Sequence, residues 1–352
     1  MAMKFRKIDL VKMMKFTIKA FGLGATLITF ENRAGIKISF TNFGARIVDW
    51  IVDGKNIVLG FDSAQEYLEK DTYPGATVGR TAGRIKNGKL KIGTQNYQLK
   101  QNDGLQTLHG GEDAMNTKLW RFSIFEKNDV AGVKFYLTSN DGENGYPGKL
   151  DMIVTHSFDE KGRWTIEYSA VSDKDTVFNP TGHAYFNLSG DASVPVDRHH
   201  LSLAASRFVP LLDMTETVRG DIENVKDTAL DFRVGKLLSE AFSSDLEQVK
   251  LVDGIDHPFL LDEVDLTKEQ ARLTLDNLSL SVKTDRPSIV IFTANFGELG
   301  TIFRGKRQIH HGGITFETQI SPGSQQIQEL GDITLKAGEE YRSTTIYAIE
   351  IG

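Results

Sequence analysis

The sequence predicts an all-β protein, a large antiparallel β-sandwich with a few short helices. Apolar and polar residues alternate with period two at residues 36–40, 278–282 and 345–351, a pattern typical of strands with one buried face. Short turn sequences separate such stretches, and helix signals are few. Short strands joined by tight turns favour antiparallel sheets over a parallel α/β arrangement.

Turn signals stand where such strands would be joined. Residues 273–275 and 278–282 are predicted to form a hairpin closed by Asp276 and Asn277, because these residue types tolerate the backbone of tight turns. The sequence DGK at 53–55 and the sequence NDG at 102–104 and again at 140–142 are further turn signals. They indicate short connections between neighbouring strands.

Two stretches predict short surface helices. Residues 62–70 carry Ser63 and Glu66 at the spacing of a capping box. Residues 234–248 place four apolar side chains on one helical face, those of Leu237, Leu238, Ala241 and Phe242. No G-x-G-x-x-G fingerprint, phosphate loop or internal repeat accompanies them.

The chain of 352 residues is interpreted as one domain, residues 22–352, after a leader of uncertain order at residues 1–21. The leader is basic, but Lys12, Lys15 and Lys19 interrupt its apolar runs, so neither a signal-peptide core nor a membrane span is predicted. A cytoplasmic location is therefore expected. A homodimer is possible.

The composition restricts the chemistry and the partners. Lys and Arg number 41 against 47 Asp and Glu, a net charge of −6, so no overall positive field favours nucleic acid or an anionic membrane. The chain has no cysteine, which excludes disulfides, thiolate nucleophiles and sulfur-based zinc sites. A small, neutral, polar ligand fits this composition.

The eight histidines do not have metal-site spacing. Four of them stand in adjacent pairs, and no H-x-H or H-E-x-x-H pattern joins any of them to a carboxylate. They are His109, His156, His183, His199, His200, His257, His310 and His311. The sequence therefore predicts chemistry without a metal and without a cofactor.

Two of these histidines lie in turn-rich motifs that suit a binding site. His109 precedes two glycines in TLHGG, where the backbone can bend tightly against a ligand. His183 follows the Pro180–Gly182 turn in PTGHAYFNL. For His109, a turn histidine without function explains the sequence equally well. For His183 taken alone, a hydrogen-bonded core or loop histidine explains the sequence better than a functional one.

Three charged residues are further candidates. Glu317 in GITFETQ falls on the strand face opposite Ile314 and Phe316, where simple solvent exposure is the alternative. Arg84 follows a glycine-rich bend, and Asp256 precedes His257-Pro258. Surface salt bridges would explain both of these residues without any function.

Taken together, these windows resemble the galactose mutarotase, or aldose 1-epimerase, family from about residue 22 to the end. Nine motifs occur in the order expected for that family. They are TNFGARIVDW, YPGATVGRTAGRIKNGK, TLHGG, NGYPGKL, NPTGHAYFNLSG, DFR at 231–233, GIDHPFLL, IFTANF and GITFETQ.

The resemblance implies an open sugar site on a β-sandwich and interconversion of the α and β anomers of free hexoses, galactose and probably glucose. In this chain the family's acid–base pair corresponds to Glu317 as base and His183 as acid. Its substrate-binding residues correspond to Arg84, His109 and Asp256. With the ordinary pKa values of the two groups, Glu317 would be ionised and His183 partly protonated at neutral pH.

The chain departs from the family pattern at two positions. Gly83 stands where many members have Asn, and Val290 stands where some have Gln. Each departure removes a possible hydrogen bond to a sugar hydroxyl and leaves the sugar preference open. Tyr185 and Phe292 are candidates to stack on the C–H face of the sugar, but for Phe292 core packing is the favoured alternative.

Two other classes of function remain open. A glycoside hydrolase would use Asp256 and Glu317 as paired carboxylates about 5 to 10 Å apart. A sugar-binding β-sandwich without activity would bind galactose and leave its anomer exchange unchanged. The presence of His109, His183 and Glu317 together favours the enzyme, since a pure binding protein does not require all three.

Overall fold

The fold was analysed in a computed structural model that describes residues 14–215, 217–297 and 300–352. In chain order, the first elements are β1 (Lys15–Gly22), β2 (Ala25–Glu31), β3 (Lys37–Thr41), β4 (Arg46–Val52), β5 (Lys55–Asn56), α1 (Ala64–Lys70), β6 (Thr77–Val78), β7 (Arg84–Ile85), β8 (Lys89–Ile92), β9 (Gln95–Gln98), β10 (Thr107–Leu108), β11 (Arg121–Lys127), β12 (Val130–Ser139), β13 (Leu150–Asp159) and β14 (Arg163–Ser172).

The remaining elements are β15 (Thr176–Val177), β16 (Thr181–Gly182), β17 (Tyr185–Phe186), β18 (His200–Leu203), β19 (Arg207–Phe208), β20 (Glu223–Asn224), β21 (Lys236–Leu237), α2 (Leu238–Phe242), α3 (Glu247–Val252), β22 (Asp256–Leu260), β23 (Ala271–Leu275), β24 (Leu278–Thr284), β25 (Ser288–Phe292), β26 (Ile302–Phe303), β27 (Lys306–Arg307), β28 (Ile314–Thr315), β29 (Glu317–Gln319), β30 (Thr334–Leu335) and β31 (Glu340–Ile351).

Three antiparallel sheets form the body of the molecule. One has five strands in the order β1-β2-β3-β4-β5, and the largest has nine in the order β11-β12-β13-β14-β31-β24-β23-β18-β21. The third has five strands in the order β20-β19-β22-β25-β29, and two-stranded ribbons such as β7-β10, β6-β16 and β17-β28 lie beside it. The predicted all-β antiparallel fold is confirmed.

Aromatic side chains join the first sheet to the nine-stranded sheet. Trp50 of β4 meets Trp164 of β14 edge to face, with ring centroids 5.9 Å apart. His156 of β13 stacks on Phe40 of β3, and its Nδ1 accepts a hydrogen bond of 3.0 Å from the Trp164 Nε1–H. Burial lowers the pKa of His156 to about 3, so it is a neutral core histidine.

The predicted turns lie where the sequence signals them. Val52 pairs with Lys55 across Asp53 and Gly54, whose φ angles are 49° and 73°, as a tight hairpin requires. Asp276 has φ 51° in the predicted hairpin between β23 and β24. Period-two alternation and turn chemistry therefore identified the strands on each side.

Part of the predicted leader is an edge strand. Residues 1–13 lie outside the described residues, but β1 begins at Lys15 and pairs with β2 from Lys15–Glu31 onward. Strand β1 is an outer strand of its sheet, and nearly all of its side chains are exposed. The lysines that break its apolar pattern therefore face solvent, and the ordered domain begins before residue 22.

Helix α1 begins as predicted, with the Ser63 side chain accepting the Glu66 N–H at its N-terminus. The helix predicted at 234–248 is divided into β21, α2 and α3. The Glu240 carboxylate accepts the Leu237 N–H at 3.1 Å, which starts α2 after that residue, and Ser243 ends it. None of the helices in the described part of the chain has the length and apolar character needed to cross a bilayer.

Candidate active site

All five predicted site residues line one cavity of about 440 Å³. They come from different elements: His109 follows β10, Arg84 opens β7, His183 lies between β16 and β17, Asp256 opens β22 and Glu317 opens β29. The cavity is also lined by Asp71, Tyr73, Gly83, Leu108, Tyr185, Leu211, Val218, Pro258, Val290, Phe292, Asn295, Phe296, Gln319 and Pro322. Strand pairing thus brings together residues that are far apart in sequence.

Two backbone hydrogen bonds, one from the N–H and one to the carbonyl, hold His183 in place. Its N–H donates to the Ala76 carbonyl at 2.8 Å, and its carbonyl accepts the Gly75 N–H at 2.8 Å. The imidazole is buried and lies between the rings of Tyr73, His109 and Tyr185, with centroid separations of 5.9, 5.1 and 5.0 Å. The imidazole therefore lies in a fixed position at the floor of the cavity.

Glu317 is also buried, so the alternative of simple solvent exposure does not apply to it. It pairs with Val290 of β25, and the face opposite Phe316 borders the cavity instead of bulk water. Its Oε1 lies 3.5 Å from His183 Nε2 and accepts the Thr315 hydroxyl at 3.4 Å. A carboxyl and an imidazole thus stand within reach of a single small ligand.

The tautomer of His109 follows from its contact with Gly83. The Gly83 N–H donates to His109 Nδ1 at 3.2 Å, so a neutral His109 carries its proton on Nε2. Burial, with His183 and Arg84 adding to it, holds the pKa of His109 well below its usual range. His109 is therefore a neutral donor, suited to hydrogen-bond a ligand oxygen.

Arg84 and Asp256 are both half-buried at the cavity wall. Arg84 Nε donates to Asp103 Oδ2 at 2.7 Å, the ion pair that a structural role alone would predict. The guanidinium nonetheless acts on the site, because its charge favours the ionised form of Glu317. Asp256 pairs with Phe292 across β22 and β25, so the two side chains share one face of the sheet, and both line the cavity.

Burial shifts the pKa values of Glu317 and His183 away from their ordinary values, in opposite directions. It raises the pKa of Glu317 to about 8, against the opposing effects of the Thr315 hydroxyl and Arg84. It lowers the pKa of His183 to about 4, against the opposing charge of Asp71. Both shifts favour the neutral forms of the two groups in the ligand-free site, in contrast to the ionised Glu317 and partly protonated His183 expected from their ordinary pKa values.

His109, His183 and Glu317 also have the residue types of a metal site. One potential ligand atom from each lies within 4.8 Å of the others. A metal-bound histidine usually donates its second ring N–H to an acceptor, whereas His109 Nδ1 accepts from Gly83 and its Nε2 must carry the proton. This tautomer suits a hydrogen bond to an oxygen better than a bond to a metal.

Several lining residues were not predicted from the sequence. Tyr73 belongs to a motif quoted above, but its position between two histidines depends on tertiary packing. Asp71 lies just beyond α1 and carries no sequence signal. Tyr185 and Phe292 both line the cavity, and Phe292 also packs against a cluster of buried apolar side chains. A larger cleft of about 710 Å³ adjoins it and shares Arg84 and Pro322 with it.

The two departures from the family pattern both lie on the cavity wall. Gly83 has φ +73°, and a Cβ there would stand 2.4 Å from Pro322 Cγ, so a side chain at 83 requires Pro322 to move. Val290 presents an apolar surface next to Glu317. The wall at these positions consists of glycine backbone, proline and valine.

Comparison with known proteins gives the family. The family model for aldose 1-epimerase matches residues 26–348. The chain belongs to the aldose 1-epimerase family. A mouse protein named galactose mutarotase is 34% identical over 339 residues, covering 93% of this chain and 95% of its own. An Escherichia coli K12 aldose 1-epimerase is 32% identical, covering 91% of this chain and 94% of its own.

A solved member of the family has the same fold. The galactose 1-epimerase from Lactobacillus acidophilus NCFM superimposes with a TM-score of 0.87 at 33% identity, covering 96% of this chain and 99% of its own. Family members with these names are isomerases, so the enzyme class and the family resemblance predicted from the sequence are confirmed. The β-sandwich related to galactose mutarotases is confirmed as well.

Proposed function

We propose that the protein is an aldose 1-epimerase that interconverts the α and β anomers of free hexoses, with galactose as a substrate and glucose as a further one. The observation that carries this proposal is the buried pair of Glu317 and His183, whose Oε1 and Nε2 atoms are 3.5 Å apart. The reaction requires one proton to leave the C1 hydroxyl and another to reach the ring oxygen. One carboxyl and one imidazole perform both transfers.

In the proposed mechanism, the Glu317 carboxylate removes the proton from O1 while His183 Nε2 gives its proton to O5. The C1–O5 bond breaks and C1 becomes an aldehyde carbon. Rotation about C1–C2 then presents the other carbonyl face to the O5 hydroxyl. As the ring closes, His183 takes its proton back from O5 and Glu317 returns a proton to O1, so both groups regain their starting forms.

The ligand-free pair must rearrange before this first step. Burial favours a proton on Glu317 in the ligand-free site, so a transfer to His183 creates the carboxylate and the imidazolium that the step uses. The Arg84 charge favours the carboxylate. Sugar hydroxyls that donate to Glu317 act in the same direction, because a hydrogen bond to the charged form stabilises that form.

The other lining residues are assigned to binding. His109 donates from Nε2 to an oxygen near the reacting carbon, and the guanidinium of Arg84 interacts with neighbouring oxygens. Asp256 accepts hydrogen bonds from ring hydroxyls. Tyr185 and Phe292 offer ring faces to the C–H side of the sugar. The cytoplasmic location and the possible homodimer stay predictions.

The direct test is polarimetry with freshly dissolved α-D-galactose. The wild-type protein should bring the solution to its equilibrium rotation far faster than buffer alone. It should not release nitrophenol from a nitrophenyl galactoside, because a glycoside has no free anomeric hydroxyl. A folded protein that binds galactose and leaves the rate unchanged would be a binding protein, and nitrophenol release would identify a hydrolase.

The pH dependence of kcat/KM should be bell-shaped, with limbs near the two pKa values given above. Below about pH 4 a second proton charges His183 while Glu317 stays protonated, so no base remains. Above about pH 8 the shared proton is lost and no acid remains. Initial rates, corrected for spontaneous exchange at each pH, measure the profile. A limb at the ordinary imidazole pKa of about 6.5 would contradict the lowering of the His183 pKa by burial.

Removal of divalent metal should leave the activity unchanged. Prolonged dialysis against a chelator, followed by the polarimetric assay in metal-free buffer, is expected to give the untreated rate, because every proposed proton transfer uses a side chain of this chain. Loss of activity on chelation and its recovery with one added metal would contradict the prediction of metal-free chemistry.

A further inference from the structure

Asp71 is a carboxyl group of the cavity to which neither the resemblance nor the mechanism assigns a role. It follows α1 directly and lines the same cavity as His183 and Glu317. Its Oδ1 accepts the Tyr73 N–H at 3.0 Å, which fixes the carboxylate relative to its own backbone. A half-buried carboxyl in a catalytic cavity calls for a physical explanation.

Arg46 holds the segment that carries Asp71, residues 71–75, through hydrogen bonds to its backbone. The guanidinium of this fully buried arginine donates to the Thr72 carbonyl at 3.1 Å and to the Pro74 carbonyl at 3.2 Å. On its other side it donates to the Phe43 carbonyl at 2.7 Å. The Asn116 amide adds a hydrogen bond of 2.9 Å to the Thr72 hydroxyl. These contacts hold the segment in one position.

The far end of the same segment is bonded to His183. Gly75 donates to the His183 carbonyl, and His183 donates to the Ala76 carbonyl, each at 2.8 Å. Within the described residues His183 Nδ1 has no hydrogen-bond partner. These backbone hydrogen bonds therefore fix the segment of Asp71 relative to His183, in the cavity that both residues line, and the imidazole of His183 must become charged during the reaction.

We propose that Asp71 is a positioning residue whose carboxylate stabilises the imidazolium form of His183, from which the ring oxygen receives its proton. This inference rests on the proposed function. Asp71 neither gains nor loses a proton: as the C1–O5 bond breaks, the proton passes from His183 Nε2 to O5, and the negative charge of Asp71 remains in place.

The electrostatics agree with this geometry. Burial has the largest effect on the pKa of His183 and lowers it. The charge of Asp71 has the next largest effect and raises that pKa. Burial raises the pKa of Asp71 itself, while the Tyr73 N–H and the positive charges of His183 and Arg46 oppose that rise. The titratable and charged groups around His183 are Asp71, Tyr73, Arg84, His109, Tyr185, Asp256 and Glu317. Arg84 and Asp256 already have partners of their own.

The test is Asp71→Asn, which keeps an acceptor oxygen for the Tyr73 N–H and removes the charge. We expect kcat to fall by about tenfold or more, the change that corresponds to one pKa unit or more of lost interaction, with little change in KM. Both limbs of the pH profile should move to lower pH, because loss of a negative charge lowers the pKa of each nearby group. The titration of His183, followed by ¹⁵N NMR, should move in the same direction.

Asp265→Asn is the matched control. Asp265 makes the same type of contact, accepting the Thr267 N–H at 2.8 Å, but it does not line the cavity. Asp71→Ser, which also keeps an acceptor and removes the charge, should repeat the shift if Asp71→Asn does not fold. An unchanged kcat and pH profile in a folded variant would overturn the proposal. So would a loss of kcat with no movement of either limb, since that indicates a purely structural role.

Failure of this proposal is distinguishable from failure of the proposed function. If the wild-type protein does not accelerate anomer exchange, the proposed function fails and the role of Asp71 fails with it. If the wild type is active and Asp71→Asn behaves like Asp265→Asn, only the role of Asp71 is wrong.

Discussion

Replacing Glu317 with glutamine is expected to lower kcat/KM for galactose anomer exchange by about 10³-fold, within the range of 10²- to 10⁴-fold typical of a positioned acid or base. Glutamine keeps the size and shape of the side chain, but its amide neither takes a proton from O1 nor returns one. The strand pairing of residue 317 with Val290 is a backbone interaction and should persist. Polarimetric initial rates measure the loss.

Thermal stability should change little in Glu317→Gln, because a buried carboxyl with a raised pKa is replaced by a neutral group of equal size. The matched control is Glu167→Gln, an exposed glutamate on β14, which should retain the wild-type rate. A folded Glu317→Gln protein with at least one tenth of wild-type activity would remove Glu317 from the mechanism.

Replacing His183 with asparagine is expected to cost about 10²- to 10³-fold in kcat/KM, again within the range for one acid or base. Asparagine can still form hydrogen bonds, but it does not deliver a proton to the ring oxygen. The hydrogen bonds between residue 183 and residues 75 and 76 come from the backbone, so the fold of the site should remain. Full activity in this variant would show that another group protonates O5.

The double variant tests whether Glu317 and His183 act as one unit. Each step of the proposed mechanism needs both groups, so Glu317→Gln combined with His183→Asn should be little worse than the poorer single variant. Multiplied losses would instead indicate two independent contributions. His200→Asn, at an exposed histidine on β18, is the matched control and should leave the rate unchanged.

Much of the fold could be predicted because it depends on local rules. Period-two alternation marked β3, β24 and β31, and short turn sequences marked the hairpins between strands. The sequence predicts a leader over the residues of β1 because lysines interrupt the apolar runs there, whereas in the structure these residues form a strand that buries almost nothing. The helix predicted at 234–248 was too long because Glu240 and Ser243 delimit α2 within it.

The candidate site also combines features that local sequence motifs predict with features that depend on the tertiary structure. The motifs around His109, His183 and Glu317 are local, and the structure brings these residues into one cavity with Arg84 and Asp256. The role of Asp71 depends on contacts between segments that are distant in sequence, such as those of Arg46 with residues 72 and 74. The protonation of the pair depends on burial, which no local pattern encodes.

The most direct test of the central claim is exchange NMR on [1-¹³C]galactose at anomeric equilibrium. The wild-type protein should produce exchange cross-peaks between the α and β C1 signals, at a rate proportional to enzyme concentration. Glu317→Gln at the same concentration should give an enzymatic rate about 10³-fold lower, the loss expected above for removal of the base. A wild-type protein that binds galactose without such exchange, or a Glu317→Gln protein that matches the wild type, would contradict the account.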